Sequence, residues 1–299
     1  MSAAARTGPA VEAVTDAVDI LGESPVWCTR DHVLYWVDIR TPAVCRLDPA
    51  SGVVARWSLP DLCGAVALSQ DARLLLALRT GVFVFDPATA GLSPLVQPEP
   101  ESRGNRLNET KVDRRGRLWT GSMRDYGAAS TGTLYRVGVD LHCEAVLCDL
   151  TVPNALCWSP DDRTVHFADT ADGRLRAYAF DAEAGRFASM RVLLEAGALP
   201  GRPDGAIVDA DGCVWNARYE GGCVARIAPD GRIDRVVAVP ASRVTSCALG
   251  GPDLRTLFIT TARQKLGPEE LAAQPLAGAV FALRVDTPGL AEPRFALPP

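Results

Sequence analysis

Four polar residues of this chain fall at a nearly constant distance from a recurring pattern. Glu23, Asn108 and Asp204 each lie ten residues before the start of a short apolar run, and Asn154 lies eleven residues before another. A buried polar group without a partner costs about 1–3 kcal/mol, and a buried charge costs more. Four such groups at one level of a fold therefore indicate a shared ligand. Since carboxylates and amides offer only oxygen donors to a metal, a divalent cation such as Ca²⁺, Mg²⁺ or Mn²⁺ is favoured over zinc.

The apolar runs belong to a unit that recurs six times. In most copies a turn precedes an alternating run rich in β-branched and aromatic residues, and further apolar stretches lie before and after it. The runs start 41–49 residues apart, at Val33, Leu74, Leu118, Val165, Val214 and Leu257. Four short strands in a unit of roughly 45 residues predict an all-β fold, a six-bladed β-propeller with four antiparallel strands in each blade.

The first strand of each propeller blade lines the central channel, so the four polar residues are predicted to converge there. The equivalent positions of the other two repeats hold Gly64 and Cys247. The alternative is that the four side chains hydrogen-bond neighbouring backbone and fix strand ends. Arg106 lies two residues before Asn108, on the same face of an extended strand. There it can donate hydrogen bonds to hydroxyl or carboxylate oxygens of a substrate, or form a salt bridge at the rim.

The two ends of the chain must complete the ring. The last blade is predicted to be closed by pairing of the chain ends, with residues 11–17 favoured over residues 294–297 as its outer strand. Residues 1–10 are predicted to be irregular, and residues 11–299 to form a single propeller domain. The best helical pattern, at residues 268–274, is only a turn or two long.

Composition and the remaining motifs argue against several other functions. The formal charge is −5, and the one basic cluster, residues 114–117, is typical of a solvated turn rather than a nucleic-acid surface. No apolar run approaches the roughly 20 residues of a membrane span, and the first residues show no signal-peptide pattern. None of the three histidines lies at the channel position, and no Gly-x-Ser-x-Gly or Gly-x-Gly-x-x-Gly motif with the required context is present.

The nine cysteines are odd in number and form no Cys-x-x-Cys pair. In a chain with a large core this usage is typical of buried free thiols in a reducing compartment. The sequence therefore predicts a cytoplasmic protein. It also predicts a monomer whose partner is a small molecule rather than a nucleic acid or a membrane.

The motifs around the polar residues resemble those of a known family. They are Gly22-Glu23-Ser24-Pro25-Val26-Trp27, Arg106-Leu107-Asn108-Glu109 leading to Lys111-Val112-Asp113, Pro153-Asn154-Ala155-Leu156, and Pro203-Asp204-Gly205. With the stretch at residues 250–263, they resemble the regucalcin (senescence marker protein)/gluconolactonase family and its bacterial sugar-lactonase branch. Each motif is short, but their order and spacing are specific and extend from about residue 12 to residue 285.

The resemblance implies a six-bladed propeller that holds a single divalent metal ion in its channel. It implies that Glu23, Asn154 and Asp204 are the metal ligands and that Asp204 is also the general base. It further implies that Arg106 and Asn108 bind the substrate.

Two positions depart from the family's pattern. Glu109 follows the substrate-binding Asn, where the family usually has Asp. The animal members also place a substrate-binding Glu a few residues past a Gly-x-Met run, whereas here Gly121-Ser122-Met123 leads to Arg124 and Asp125. We predict that Asp125 partly takes the place of that Glu.

The implied activity is the metal-dependent hydrolysis of a sugar (aldono-) lactone to the aldonic acid. One alternative is a promiscuous organophosphate or aryl-ester hydrolase on the same scaffold, since a fold alone does not decide the substrate. The other is a non-catalytic, calcium-binding propeller. The sequence leaves the sugar and the native metal open.

Overall fold

Twenty-four β-strands and one short α-helix form the part of the chain that this computed structural model describes, residues 11–100 and 104–298. The strands form six antiparallel sheets of four strands each. The first strand, β1 (Glu12–Ala13), belongs to the last sheet.

Five blades each use four consecutive strands, ordered from the channel outwards. Blade 1 consists of β2 (Gly22–Cys28), β3 (Val33–Asp38), β4 (Ala43–Asp48) and β5 (Val53–Ser58). Blade 2 consists of β6 (Cys63–Leu68), β7 (Leu74–Leu78), β8 (Gly81–Asp86) and β9 (Gly91–Val96). Blade 3 consists of β10 (Asn105–Val112), β11 (Leu118–Arg124), β12 (Gly132–Val137) and β13 (Cys143–Leu150). Blade 4 consists of β14 (Pro153–Trp158), β15 (Thr164–Asp169), β16 (Leu175–Asp181) and β17 (Arg186–Leu194). Blade 5 consists of β18 (Arg202–Val208), β19 (Val214–Tyr219), β20 (Cys223–Ile227) and β21 (Ile233–Ala238).

Blade 6 closes the ring and combines the two ends of the chain. It consists of β22 (Val244–Gly250), β23 (Thr256–Thr261), β24 (Phe281–Arg284) and, outermost, β1. Glu12 pairs with Ala282 and Ala13 with Phe281. The six-bladed architecture and the choice of the N-terminal segment as the closing strand are thus confirmed. The helix α1 (Pro268–Ala273) lies between β23 and β24, where the sequence predicted a short helical turn.

The inner strands pack against one another around the channel, and β22 contacts β2 to complete the circle. Every residue of β2, β6, β10, β14 and β22 is buried, because both faces of these strands meet protein. Most residues of the outer strands are exposed or half-buried. A polar side chain on an inner strand therefore has only the channel or a protein partner to face.

Blades 1, 3 and 5 share a buried anchor between strands. In each, a carboxylate accepts a hydrogen bond of 2.8–2.9 Å from a tryptophan indole N–H and pairs with an arginine. The three sets are Trp36, Asp19 and Arg56; Trp119, Asp113 and Arg117; and Trp215, Asp209 and Arg226. Each carboxylate is thereby satisfied, which a buried charge requires.

The residues after β24 cross the end of the channel away from the polar ring. In this C-terminal strap (residues 286–298), Gly289 bridges to Asp209 of blade 5 and Phe295 bridges in parallel to Ser69 of blade 2. Phe295 is fully buried and packs in a cluster with residues of blades 2 and 3. Residues 294–297 therefore fasten blades together below the channel rather than forming an outer strand.

Two further expectations concern the whole chain. All nine cysteines lie within the described residues, and none is in a disulfide. Within the same residues, no helix is long and apolar enough to cross a bilayer. The irregular segment expected at residues 1–10 lies outside the described residues.

Candidate functional site

The four polar residues singled out by their spacing lie together at one end of the channel. Glu23, Asn108, Asn154 and Asp204 all line a cavity of about 720 Å³. Each side chain is between 4% and 8% exposed. They come from the inner strands of blades 1, 3, 4 and 5, so the propeller brings together residues that lie up to 181 positions apart.

Local irregularities in the inner strands aim these side chains. In blades 1, 3, 4 and 5 the ladder between the first two strands shifts register at or directly after the polar residue. Ser24 and Ala155, which follow Glu23 and Asn154, adopt left-handed φ values of +50° and +56°. Non-glycine residues in that region cost about 1–3 kcal/mol and persist where surrounding structure enforces them. Bulges of this kind re-aim a side chain next to a site.

Two glycines explain how the ring fits its neighbours. Gly64, the equivalent residue of blade 2, lies against blade 3, and an added Cβ there would come within 2.2 Å of the Leu107 carbonyl oxygen. Gly205, directly after Asp204, lies against blade 6, and its Cβ would approach the Ser246 hydroxyl to 2.0 Å. A larger residue at either position would push adjacent blades apart at the level of the cavity.

A chain of hydrogen bonds connects blades 3, 4 and 5. Arg106 Nη1 donates to Asn108 Oδ1 at 2.7 Å, and Asn108 Nδ2 donates to Asn154 Oδ1 at 3.1 Å. Asn154 Nδ2 donates to the Thr170 hydroxyl at 2.9 Å, which in turn donates to the Pro203 carbonyl at 2.7 Å. Because Thr170 engages the amide nitrogen, the Asn154 oxygen is directed toward Asn108 and the cavity.

Burial dominates the electrostatics of the two carboxylates. It raises the pKa of Glu23 to about 7, against the hydrogen bond from the Ser24 N–H and the charges of Arg106 and Lys111. Burial, followed by the charges of Glu23 and Glu109, raises the pKa of Asp204 well above its ordinary value. Each of the two carboxyl groups affects the pKa of the other. Two adjacent buried acids repel one another once both are ionised.

The chemistry of this donor set fits a hard divalent cation. Glu23, Asp204 and the amide of Asn154 offer oxygen atoms alone, and a cation would offset the repulsion between the two acids. Within the described residues no three His, Cys, Asp or Glu side chains are grouped to hold a metal ion. An ion at this site would therefore need the Asn154 amide as its third protein ligand.

Asp125 also lines the cavity, but arginines occupy its carboxylate. Arg106 Nε and Arg40 Nη2 each lie 2.9 Å from Asp125 Oδ1, and Arg40 Nη1 donates to Oδ2 at 3.1 Å. Although burial acts to raise the pKa of Asp125, Arg40 and Arg106 hold it below the ordinary value. In this arrangement Asp125 fixes the two arginines and has little capacity left for a substrate hydroxyl.

Glu109 is buried and does not line this cavity. The charges of Lys111, Glu23 and Glu292 act on it. Burial raises the pKa of Glu109 to about 8, and the charge of Lys111 opposes the shift. The charge of Glu109 in turn acts on Asp204, so Glu109 is electrostatically coupled to the polar ring.

Three contributors were not identified from the sequence. Arg40 holds Asp125, Thr170 orients Asn154, and Asn216 Nδ2 donates to the Asp204 backbone carbonyl at 3.0 Å. Asn216 is fully buried in the run Trp215-Asn216-Ala217, so a polar residue inside an otherwise apolar run was the available signal. Thr170 and Arg40 follow the second strands of their blades and carry no such signal.

The cysteines and the buried histidine lie outside the site. Cys63 and Cys247 are fully buried, and burial raises the pKa of each thiol to about 12. His166 lies on β15, and burial lowers its pKa to about 4. None of the three lines the cavity.

This chain is similar to known proteins over nearly its whole length. The model of the SMP-30/gluconolactonase/LRE-like region matches residues 21–263. The 6-deoxy-6-sulfogluconolactonase of Pseudomonas putida is 39% identical over 278 residues, 93% of this chain and 95% of that protein. The L-arabinolactonase of Azospirillum brasilense is 34% identical over 288 residues, 95% of this chain and 94% of that protein. A crystal structure of a calcium-binding protein, regucalcin, from Agrobacterium tumefaciens superposes with a TM-score of 0.93 at 31% identity, covering 97% of this chain and 98% of that one.

Proposed function

This chain belongs to the SMP-30/gluconolactonase/LRE-like family, and we propose on that basis that it hydrolyses a sugar lactone to the open-chain aldonic acid with one divalent cation as cofactor. The named activities of two relatives, a 6-deoxy-6-sulfogluconolactonase and an L-arabinolactonase, support a lactone substrate. The description of the regucalcin neighbour as a calcium-binding protein supports a cation. The relatives differ in their sugars, so the sugar remains open.

One observation carries the proposal. A single cavity places the oxygen donors of Glu23, Asn154 and Asp204 beside the donors of Arg106. Arg106 is almost fully buried, yet its Nη2 makes no hydrogen bond to the described part of the chain. A guanidinium nitrogen that has no protein acceptor and borders a cavity is available to a ligand oxygen.

The residues of the cavity have separate tasks in this mechanism. A cation held by Glu23, Asn154 and Asp204 would supply positive charge that polarises the lactone carbonyl. Asp204 accepts a proton from the attacking water, whose oxygen bonds to the carbonyl carbon. The bond from that carbon to the ring oxygen then breaks, and the ring oxygen takes up the proton to become a hydroxyl group. Arg106 orients the sugar through Nη2, which lowers the entropy cost of reaching this geometry.

Asn108 has an organising task. Its two N–H groups donate to the Pro153 carbonyl and to Asn154 Oδ1, and its oxygen accepts from Arg106. Only one lone pair of Oδ1 remains for a sugar hydroxyl. Asn108 therefore fixes the positions of Asn154, which would bind the cation, and of Arg106, which would bind the substrate.

Loss of Arg106 is expected to weaken substrate binding while leaving the cation in place. In Arg106→Ala, Asp125 keeps its pairing with Arg40, so no uncompensated buried acid results. A hydrogen bond from a charged donor is worth about 1.5–3 kcal/mol, so kcat/KM should fall about ten- to a hundredfold, chiefly through KM. Steady-state kinetics and a metal titration measure the two effects. Arg232→Ala, an exposed substitution directly before β21, is the control. Loss of the cation in Arg106→Ala would contradict this assignment.

Two other functions would use the same fold. A promiscuous organophosphate or aryl-ester hydrolase would need a cavity that accepts flat aromatic groups, whereas polar and charged side chains hold the inner end of this one. A calcium-binding propeller without catalysis would have no use for a guanidinium nitrogen, Arg106 Nη2, that the described residues leave free in the cavity beside the oxygen ligands. The substrate panel described next distinguishes both functions from a sugar lactonase.

The test is a substrate panel followed by acid release. Purified protein is incubated with Ca²⁺, Mg²⁺ or Mn²⁺ and with glucono-, galactono-, arabinono- and xylonolactones, and with paraoxon and phenyl acetate. We expect acid release from at least one aldonolactone well above spontaneous hydrolysis. Turnover of paraoxon or phenyl acetate alone would favour the promiscuous hydrolase. Cation binding without any turnover would favour the non-catalytic propeller.

We also predict a cytoplasmic location and a monomeric state. Nine unpaired thiols suit a reducing cytoplasm. A monomer that binds neither nucleic acid nor membrane also remains the expectation.

A further inference from the structure

The cavity has a second tier of side chains, one step toward its mouth from the polar ring. Arg106 pairs across its blade with Met123, and Arg202 pairs with Tyr219 at the equivalent position of blade 5. Each arginine lies two residues before a ring residue and about 6–7 Å from it along an extended strand. Both line the cavity. Blades 3 and 5 thus present two arginines at one level, facing the same space.

The two arginines differ in their partners. Arg106 is buried and held by Asp125, whereas Arg202 is exposed and has no ion pair or side-chain hydrogen bond within the described residues. Since its neighbour two residues on is Asp204, its charge is close to the reacting end of the cavity. A guanidinium left open at this depth is available to an anion.

Further cations lie on the same side of the mouth. We call Arg202 and Lys265, with Glu220, the basic sector. Lys265 lines the cavity, is exposed and has no ion pair within residues 11–100 and 104–298. Arg243 lies behind this sector, over the Tyr219 ring, and donates to the Gln264 and Lys265 carbonyls. Two cations and one carboxylate of the sector line the cavity, a formal excess of one positive charge (2 − 1) beside blades 5 and 6.

Charge is therefore segregated within one cavity. The acids Glu23 and Asp204 lie at its inner end, and the uncompensated cations lie at its mouth. A neutral sugar needs hydroxyl-directed donors and acceptors, and it has no use for an unbalanced positive rim. An anionic group on the substrate would be attracted by the cations of the basic sector, so it would also favour one orientation of the sugar in the cavity.

We infer that the substrate is an acidic sugar lactone, one that carries a sulfonate, phosphate or carboxylate group at the end remote from the lactone carbonyl. This inference rests on the proposed lactonase function and specifies its substrate. Arg202 and Lys265 bind the acidic group, while the lactone carbonyl faces Glu23, Asn154 and Asp204. Arg202 is thus a specificity-determining residue, and no bond is made or broken at it.

The experiment compares matched lactones that differ in one group. kcat/KM is measured for D-glucono-1,5-lactone, its 6-phosphate, its 6-deoxy-6-sulfonate and the lactone of glucaric acid. One charge-assisted contact at a partly exposed site corresponds to about a tenfold preference. We therefore expect at least one acidic lactone to exceed the neutral one by about tenfold, with the preference shrinking as salt is raised. The order among the three identifies the acidic group.

Variants assign the preference to the basic sector. Arg202→Gln and Lys265→Gln should each reduce kcat/KM for the acidic lactone more than for the neutral one. Arg186→Gln, on the exposed outer strand β17, should leave the ratio unchanged. Binding of 6-phosphogluconate against gluconate, measured by calorimetry on the same proteins, gives a readout that needs no turnover.

The results distinguish a lactonase that prefers neutral sugars from a protein that is not a lactonase. Equal or better use of the neutral lactone, with the ratio unaffected by Arg202→Gln, overturns the acidic substrate and leaves the lactonase intact. No turnover of any lactone overturns the proposed function. In that case, stronger binding of 6-phosphogluconate that is lost in Arg202→Gln would still support an anion site, and equal binding of the two acids would remove it.

Discussion

Replacing Asp204 with asparagine is expected to reduce lactone hydrolysis by about a thousandfold or more, since a general base alone contributes about 10²–10⁴. Asparagine keeps the volume of the side chain but cannot accept a proton from water. The same change removes one of the two carboxylates that would bind the cation, so metal affinity should fall in parallel. Calorimetric titration with Ca²⁺ or Mn²⁺ measures the second effect, and single-substrate kinetics measures the first.

The interpretation of that variant depends on showing that it is folded. The backbone at Asp204 is held by Asn216, whose Nδ2 donates to the Asp204 and Gly205 carbonyls, so the strand should keep its path. Asp16→Asn, on the exposed segment after β1, is the matched control. Hydrolysis at the parental rate in Asp204→Asn would show that neither the base nor the cation is where we place it.

Removing divalent cations is expected to abolish hydrolysis, and adding them back is expected to restore it. Glu23 and Asp204 are adjacent, buried and mutually repulsive, so a bound cation should also stabilise the fold. Dialysis against EDTA should therefore lower the melting temperature. A ligand at a hundred times its Kd stabilises a protein by about 2.7 kcal/mol. Differential scanning calorimetry with Ca²⁺, Mg²⁺ and Mn²⁺ in turn ranks the ions.

A matched variant makes the chelation result specific. In Glu23→Gln the two acids no longer repel each other, so the dependence of the melting temperature on added cation should shrink. Full activity after exhaustive chelation, with no change in melting temperature, would exclude a metal mechanism for this protein.

The sequence predicted the ring because inner strands recur at a nearly fixed spacing. Glu23, Asn108, Asn154 and Asp204 occupy the same step of four repeats, so their convergence followed from the period once the propeller was recognised. Blade 2 departs from the pattern at Gly64, and the structure supplies the reason, a neighbouring backbone that leaves no room for a Cβ. The spacing of the repeats predicts where a residue lies within its blade, but it does not predict what that residue contacts in the next blade.

Contacts between blades were the part that sequence reasoning missed. Substrate binding by Asp125 stays a prediction, but nothing in the sequence indicated that Arg40, 85 residues earlier in the chain, engages its carboxylate. Thr170, at the end of the second strand of blade 4, donates to the Pro203 carbonyl of blade 5, 33 residues away. Such pairings depend on how adjacent blades are rotated and bulged, and no period in one chain encodes them. The strap was missed for the same reason, since Phe295 finds its partners in blades 2 and 3.

The C-terminal strap also bears on how a substrate would enter the cavity and how a product would leave it. Leu290, Ala291, Glu292 and Pro293 line a separate space of about 40 Å³ with Lys111 and Leu156, at the end of the channel opposite the reacting groups. The strap crosses this end and is joined to blades 2 and 5, so we expect a sugar to reach the reacting groups only from the opposite end. In the proposed reaction, lactone and acid would then use the same opening of the cavity. A new substrate could bind only after the product has left. The acid product should accordingly act as a purely competitive inhibitor, and slow departure of a negatively charged acid past the cations at that opening would set the ceiling on turnover.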